Sequence, residues 1–440
     1  PDPRRRGGTG PLQAQQGIAS SLISLIGHPD TYDPLGDEAQ RAQVIRRWRR
    51  RWQSEGPRFL KVVQPTEAVP GLQEAILGDI HLVSSMPDMS SSLYYLAGRK
   101  MYEVGAMDGS YPPTGRLLGD QGGIWAQPSK VVDRLEYRVS EVEGATIVLT
   151  GIRHFIHRFA WVEFRHAQGG LEFERRDFVA EREPAFFSRL TIRNASRRER
   201  RLDVSFSAWV NIRPGWASRL PNGVDTLSSN RRGFVAYDEA DPRWAVAVTA
   251  AETPSSVRLE DNRGDLTTTV TLPENGAVTL TFCIAAELQH GAAVAVERAE
   301  TFVKKVDQAL AEKDRIYKNG IFGGARFRAP SRLVTDAFYL AKANLLMLTA
   351  DLRPYLKAPY FYAGLPWYTQ LFSNDSSYSI PGAIAAGFRQ PSRGVFEALS
   401  PLIKQENGRV PHEVSTSGAV VGRGNMQETP QLVKTAWRYY

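Results

Sequence analysis

The chain has 440 residues, of which 42% are hydrophobic and 23% are charged, so it can form two or more domains with sizeable cores. This ordinary globular composition excludes a disordered or fibrous chain. A formal net charge of +8 suggests nucleic-acid binding, but the arginine clusters are scattered and no nucleic-acid-binding signature accompanies them. We therefore expect no nucleic acid among its partners.

The first 57 residues are rich in Arg, Gln, Pro and Gly, which predicts a basic, partly disordered extension. Residues 40–52 have the pattern of a basic amphipathic helix. No stretch approaches the roughly 18 apolar residues of a membrane span, so none is predicted. The chain starts with Pro1 rather than methionine, which indicates that its natural start is missing. The compartment stays open, with the cytoplasm slightly favoured over a secreted or periplasmic location.

Residues 58–290 predict an antiparallel β-sandwich domain. Polar and apolar residues alternate along 134–139, 201–210 and 267–272, as is typical of strands with one face on a core. Turn residues such as Gly169-Gly170 separate the runs. Many short strands over this length favour a large sandwich. We interpret the single cysteine, Cys283, as a small buried hydrophobe, because it lies in an apolar run.

Residues 291–330 predict a linker helix, running over about 294–317, followed by a boundary rich in Gly and Pro. Residues 331–440 are again helical. Further helices are expected at about 381–388 and 394–405, and from Pro430 onward; the last is still running at Tyr440, which predicts an incomplete helical domain. The first of these helices carries an apolar stripe that should face a core, formed by Val334, Phe338, Ala341, Leu345 and Leu348.

The segment 362–375 is a predicted loop dense in aromatic residues. It contains Trp367, Tyr368 and Phe372 and ends in Asp375, just before an expected helix start. Aromatic faces stack on sugar rings, and a carboxylate accepts hydrogen bonds from hydroxyls, so the mixture suits a polyhydroxylated ligand. The residues alone fit a second interpretation equally well, in which the rings belong to the core and Asp375 caps a helix.

Two later segments, 406–413 and 424–430, place Glu413 and Glu428 on loops between helices. Glycoside hydrolysis needs two carboxyl groups, one protonated and one ionised. Each glutamate also fits a solvated surface carboxylate, and Glu428 fits a charge that complements a helix N-terminus. His154 and His157 lie three apart in a predicted strand and so on opposite faces, which indicates structural residues rather than metal ligands.

These segments resemble a known family. Ala363-Gly364-Leu365-Pro366-Trp367-Tyr368 with Asp375 resembles the pattern AG-x-PW-F…GRD of the amylo-α-1,6-glucosidases, the glucosidase half of glycogen-debranching enzymes, and of their six-hairpin relatives. Asn407-Gly408-Arg409-Val410-Pro411, followed by Gly424-Asn425 and Glu428, is similar to the family's G-x-IPN…YN…DA. Two departures bear on the substrate: Ser373-Asn374-Asp375 stands in place of GRD, and Glu428-Thr429 in place of DA.

The resemblance implies roles for the matching residues. Glu428 is expected to be the general acid, and Glu413 is the alternative acid or a substrate contact. Trp367 would stack on the terminal sugar and Asp375 would bind its hydroxyls. These four side chains are predicted to line one cleft. The further expected substrate contacts are Tyr368, His412 and Asn425.

The resemblance also implies a fold and a function. The fold would be a sandwich followed by an (α/α)6 toroid, of which residues 331–440 hold the first helices. The function would be inverting hydrolysis of an α-glucan or α-linked oligosaccharide, without metal or cofactor. The general base would lie beyond residue 440, so residues 1–440 alone would be inactive. A glycoside phosphorylase and a non-catalytic carbohydrate-binding protein are the alternatives.

Overall fold

A computed structural model describes residues 37–59, 82–85, 88–114, 120–141, 144–218, 220–424 and 427–439. Helix α1 (Glu38–Phe59) belongs to the first of two units, which divide at residue 72. It begins after Asp37, whose carboxylate accepts hydrogen bonds from the backbone N–H groups of Ala39 and Gln40. None of the helices in the described part of the chain combines the length and the apolar character that crossing a membrane requires.

Antiparallel strands make up the first part of the second unit. The alternating runs 134–139, 201–210 and 267–272 all lie inside long strands, as predicted. The strands are β1 (Leu82–Ser84), β2 (Leu93–Ala97), β3 (Tyr102–Ala106), β4 (Gly123–Ala126), β5 (Ser129–Glu141), β6 (Thr146–Val148), β7 (His154–His157), β8 (Val162–Gln168), β9 (Leu171–Val179), β10 (Ala185–Asn194), β11 (Arg200–Pro214), β12 (Asp225–Asn230), β13 (Gly233–Asp238), β14 (Ala245–Ala250), β15 (Ser256–Glu260), β16 (Arg263–Leu272) and β17 (Ala277–Glu287).

These strands form two sheets around one core. One sheet has the order β1-β7-β8-β9-β10-β17-β14-β13-β12, and the other β15-β16-β11-β5-β4-β3-β2, with β6 beside β5. Every second residue of β11 from Leu202 to Val210 is buried, because alternate side chains of a strand point to the same face. Phe206 and Phe282, one from each sheet, stack with their ring centroids 4.4 Å apart. The predicted antiparallel sandwich is confirmed.

A charged network lies inside this sandwich. Arg175 and Asp177 on β9 form a buried ion pair with 2.5 Å between Nη2 and Oδ2. Ser188 donates a 2.5 Å hydrogen bond to the other oxygen of Asp177. Glu103 on β3 is fully buried and accepts a hydrogen bond of 2.8 Å from Tyr94. One guanidinium therefore faces two carboxyl groups in an apolar surrounding.

We expect Glu103→Gln to change how stability depends on pH. Burial, followed by the charge of Asp177, raises the pKa of Glu103 to about 8 from an ordinary 4.5. The folded state holds the proton more tightly than the unfolded chain, so this contribution is fully present below pH 4.5 and is lost as the pH rises through about 8. Between pH 5 and pH 9 the free energy of unfolding should fall by a few kcal/mol more in the parent than in the variant. Urea denaturation at each pH tests this, and equal slopes would contradict it.

Helices follow the sandwich from Ala292 onward. They are α2 (Ala292–Val303), α3 (Val306–Phe322), α4 (Arg332–Met347), α5 (Ser373–Ala385), α6 (Arg389–Gln405) and α7 (Glu428–Tyr439). Two short paired strands, β18 (Thr349–Ala350) and β19 (Tyr360–Phe361), lie between α4 and α5. Helix α2 covers the outer face of the nine-stranded sheet with Ala295, Ala299 and Val303. Cys283 is buried beneath it, as predicted, and burial raises the pKa of its thiol.

The prediction of one linker helix over 294–317 is wrong, since the chain turns between α2 and α3. The backbone N–H of Lys305 bonds to the carbonyl of Phe302 and closes this turn. Helix α3 then takes a different course, because buried polar side chains tie it to the end of β2. Lys313 Nζ and the Tyr317 hydroxyl donate to the carbonyl of Ala97, at 2.6 and 3.2 Å.

The helix predicted at about 381–388 begins at Ser373 instead, and Pro381 lies inside it. A proline in a helix leaves the carbonyl four residues earlier without its usual N–H partner. Here that carbonyl belongs to Ser377, and it accepts a 2.9 Å hydrogen bond from the hydroxyl of Thr435 on α7. The proline therefore supports the contact between α5 and α7.

The buried face of α4 also differs from the prediction. Val334 and Ala341 of the expected stripe are exposed. The face that packs includes Lys342, whose ammonium bonds to the carbonyls of Gly323 and Ala325, and Tyr339, whose ring lies 5.3 Å from that of Phe322. The buried residues are Thr335, Tyr339, Lys342, Ala343 and Leu346. Hydrogen bonds to the segment after α3 thus decide which face of α4 is covered.

Candidate functional site

A small sheet joins two segments that are about forty residues apart in the sequence. Its strands are β20 (Leu371–Phe372), β21 (Glu413–Val414) and β22 (Val420–Gly422), and Phe372 lies opposite Glu413. The N–H of Ser373 donates to the carbonyl of His412 at 3.1 Å. The aromatic loop therefore ends directly beside the segment that carries the predicted acids.

Glu428 and His412 meet at the start of α7. His412 Nδ1 and Glu428 Oε1 share a hydrogen bond of 2.8 Å, and only 1% of Glu428 is exposed. Glu428 is the first residue of the helix, where the helix dipole favours a negative charge. The N–H of Val410 also bonds to the hydroxyl of Thr429 at 3.2 Å, which fixes the helix start against the preceding segment.

Aromatic rings continue this contact toward the surface. The rings of Phe372 and His412 lie 5.6 Å apart, and those of Tyr368 and Phe372 lie 5.9 Å apart, both edge to face. Tyr368 is 55% exposed. The predicted residues Tyr368, His412 and Glu428 thus form a continuous surface through Phe372, with an open aromatic ring at one end and a buried carboxyl at the other.

Glu413 lies next to this surface and has an unusual environment. Its side chain is half-buried, and its Oε1 atom has no hydrogen-bond partner within the described residues. Burial raises the pKa of Glu413, while the neighbouring His412 offsets part of the rise. A carboxyl group with a raised pKa keeps its proton to higher pH and can donate it.

Further buried oxygen atoms without hydrogen-bond partners in the described residues belong to residues that flank β20, the strand paired with Glu413, and to a glutamine bonded to Thr369. They are Gln370 Oε1, Ser373 Oγ, Asn374 Oδ1 and, from the sandwich, Gln127 Oε1. Buried polar atoms are nearly always paired, so such atoms need a ligand or water that donates hydrogen bonds. Gln370, Ser373 and Asn374 were not among the predicted substrate contacts, although all three lie in the aromatic segment 362–375.

The surroundings of Asp375 and Trp367 differ from those of the two glutamates. Asp375 is exposed in the first turn of α5 and lines a cavity of about 400 Å³ together with Tyr362 and Tyr378. Trp367 is half-buried in a turn closed by backbone hydrogen bonds between Gly364 and Tyr368. Neither Trp367 nor either of the two glutamates is among the described residues that line that cavity. Asn425 lies outside the described residues.

The sandwich supports the site at two points. Gln127 Nε2, in the turn between β4 and β5, donates to the hydroxyls of Tyr102 at 3.0 Å and of Thr369 at 3.3 Å. The hydroxyl of Ser417, in the turn between β21 and β22, donates to the carbonyl of Ser218 at 2.9 Å. Both halves of the site are therefore held by the sandwich.

His157 is one of the two histidines that were predicted to be structural. His157 is buried on β7, where its ring bonds to the carbonyl of Tyr95 and the N–H of Phe159, both at 3.0 Å. Within the described ranges, no three His, Cys, Asp or Glu side chains are grouped so that they could hold a metal ion.

Comparisons with known proteins show which proteins have a similar fold. Residues 151–214 match the family model described as Glycosyl hydrolase 94, supersandwich domain. A solved protein described as a kojibiose phosphorylase from the human microbiome superposes with a TM-score of 0.57 at 10% identity, covering 82% of this chain and 55% of that one. A bacterial glucoamylase in complex with acarbose superposes with a TM-score of 0.51 at 8% identity, covering 82% of this chain and 59% of that one. A search of curated proteins gave no match.

This chain spans a little over half the length of these two solved proteins. At such low identity the similarity concerns the fold alone, and it agrees with the order of sandwich and helices seen here. The chain therefore has the fold that these two solved proteins share, an antiparallel β-sandwich followed by helices of an (α/α)-toroid type.

Proposed function

We propose that this chain carries part of the active site of an inverting glycoside hydrolase that acts on an α-glucan or α-linked oligosaccharide, as amylo-α-1,6-glucosidases do. The observation that carries the proposal is Glu413, a half-buried carboxyl with a raised pKa, on a strand whose partner β20 is flanked by Gln370, Ser373 and Asn374, each with a buried oxygen atom unpaired within the described residues. Sugar hydroxyls are the donors that such oxygen atoms lack.

The two glutamates would then have different roles. Glu413 is the better general acid, because burial favours its protonated form. The resemblance to the amylo-α-1,6-glucosidases implied this role for Glu428, with Glu413 as the alternative acid or a substrate contact. Glu428 is buried against His412 at the helix start, which suits a group that holds the imidazole and, through it, a sugar hydroxyl.

The reaction follows from these roles. Glu413 gives its proton to the glycosidic oxygen as the bond from that oxygen to the anomeric carbon breaks. Water attacks the anomeric carbon from the opposite face and loses a proton to a base, so the released sugar has the inverted configuration. Trp367, Tyr368 and Asp375 remain the proposed contacts to the sugar ring, as does Asn425.

A glycoside phosphorylase is the second candidate, supported by the similarity in fold to the kojibiose phosphorylase. Phosphate would then replace water as the attacking group. The chemistry at Glu413 would be the same, because the leaving oxygen still needs a proton.

The reaction class can be determined with the intact natural protein. We expect it to release free glucose of inverted configuration from α-1,4- or α-1,6-linked oligosaccharides without added phosphate, as followed by NMR. Release of a sugar phosphate only when phosphate is present would favour the phosphorylase. Binding of the sugars without turnover would favour a non-catalytic carbohydrate-binding protein and would contradict the proposed hydrolase.

A further inference from the structure

We propose that Trp216, in the sandwich loop between β11 and β12, is a stacking residue of a distal sugar subsite. It would take the outer rings of an oligosaccharide whose bond is cleaved beside Glu413. The inference rests on the proposed function and extends it, because it makes a longer oligosaccharide the preferred substrate.

The neighbours of Trp216 in the sequence connect to both halves of the candidate site. Gly215 lies against Gln127, such that a Cβ on Gly215 would be 3.7 Å from Gln127 Oε1. The amide of the same glutamine donates to Thr369, in the aromatic loop. Ser218, two residues after Trp216, accepts a hydrogen bond from Ser417 in the turn between β21 and β22.

The loop is also held firmly. The N–H of Gly215 donates to the carbonyl of Pro128 at 2.8 Å, and the N–H of Ser218 donates to the carbonyl of Gly215 at 2.9 Å. The hydroxyl of Ser218 donates to that same carbonyl at 2.7 Å. Trp216 is thus fixed between two anchored residues, so little conformational entropy would be lost when a sugar stacks on it.

The indole itself is open to solvent. Trp216 is 42% exposed, whereas Trp125 and Trp244 are almost completely buried. An exposed aromatic ring on an anchored loop offers apolar area to the C–H face of a sugar while its N–H can still bond to water or a hydroxyl.

The position of the loop sets which rings of the substrate it could reach. Ser417 follows Glu413 by four residues, so their Cα atoms are at most about 14 Å apart. Among the described residues, the hydrogen bond from this loop to the segment that carries Glu413 is made at Ser417. A subsite on the loop would therefore take rings beyond the one whose bond is cleaved.

Calorimetric titration of the intact protein carrying Glu413→Gln, which should leave the sugars uncleaved, tests the inference. The ligands are maltose to maltoheptaose and the matching isomalto-oligosaccharides. We expect affinity to rise with chain length. Adding Trp216→Ala should weaken binding of the longest sugar by about tenfold and leave binding of the disaccharide nearly unchanged. Trp216→Phe should retain most of the affinity.

Trp437→Ala is the matched control, because Trp437 is an indole 85% exposed on α7, nine residues and therefore half a helical circumference from Glu428. It should leave the length dependence intact. An unchanged length dependence in Trp216→Ala, or an equal loss for short and long sugars, would overturn the role of Trp216 and leave the proposed function standing. If the protein with an intact Trp216 bound none of the sugars, the proposed function itself would fail, and this inference with it.

Discussion

Glu413→Gln should lower kcat/KM for α-linked oligosaccharides by about 10²- to 10⁴-fold, the usual contribution of a general acid. Glutamine has nearly the same shape but cannot give a proton to the leaving oxygen. Hydrolysis of α-glucosyl fluoride should fall far less, because fluoride leaves without protonation. The ratio of the two activities, measured on the intact protein, separates proton donation from simple substrate contact.

The pH dependence of the activity gives a second test of the variant Glu413→Gln. Activity on oligosaccharides should fall as the pH rises through the raised pKa of Glu413, because only the protonated carboxyl donates. This alkaline limb should be absent in Glu413→Gln. Glu397→Gln is the control, since Glu397 forms an exposed pair with Arg393 on α6. Equal losses on both substrates would contradict the acid role of Glu413. If Glu428→Gln instead lost activity on oligosaccharides while retaining hydrolysis of the fluoride, that role would belong to Glu428.

Arg175→Met should destabilise the sandwich by about 3–5 kcal/mol, as expected when one member of a buried ion pair is removed. The arginine is 1% exposed, and its removal leaves the Asp177 carboxylate without its cation inside the core. This loss of stability should appear as a lower urea concentration at the midpoint of unfolding, measured at neutral pH.

Arg176→Met is the matched control for this substitution. Arg176 is the next residue of β9, its side chain is 32% exposed, and it pairs with Glu163 and Glu174. Such partly exposed pairs contribute about 0–1 kcal/mol. Similar losses in the two variants would show that Arg175 does not stabilise the core charges.

The sandwich could be predicted because each of its strands can be recognised from the residues of that strand alone. Each run of alternating residues, such as 201–210, reports one buried face of one strand, and turn residues mark the ends. Cys283 was predicted correctly for the same reason, since its apolar neighbours indicate burial on both sides. The sequence also shows that the alternation of polar and apolar residues ends after the sandwich and that apolar residues then recur at helical spacing.

The helical part was harder to predict because distant contacts decide its details. The hydrogen bond from Thr435 to the carbonyl freed by Pro381 allows α5 to start at Ser373, and nothing near Pro381 in the sequence shows that bond. The covered face of α4 depends on Lys342 reaching two carbonyls after α3, whereas an apolar stripe only shows which residues avoid water.

Part of the candidate site could be predicted from the sequence, and part could not. The segments that carry Tyr368, His412, Glu413 and Glu428 could be selected from the sequence, but their pairing depends on the short strands β20, β21 and β22. Strands of two or three residues carry no clear alternation. The raised pKa of Glu413 follows from burial at this small sheet, so it could not be predicted before the pairing of Phe372 with Glu413 was known.

The most direct test is a crystal structure of the intact protein carrying Glu413→Gln with an uncleaved α-linked oligosaccharide. We expect a glycosidic oxygen within hydrogen-bond distance of the amide at position 413, and sugar hydroxyls donating to Asn374 Oδ1 and Gln370 Oε1. An oligosaccharide bound elsewhere, with residue 413 and these oxygen atoms contacting only protein or water, would contradict the site.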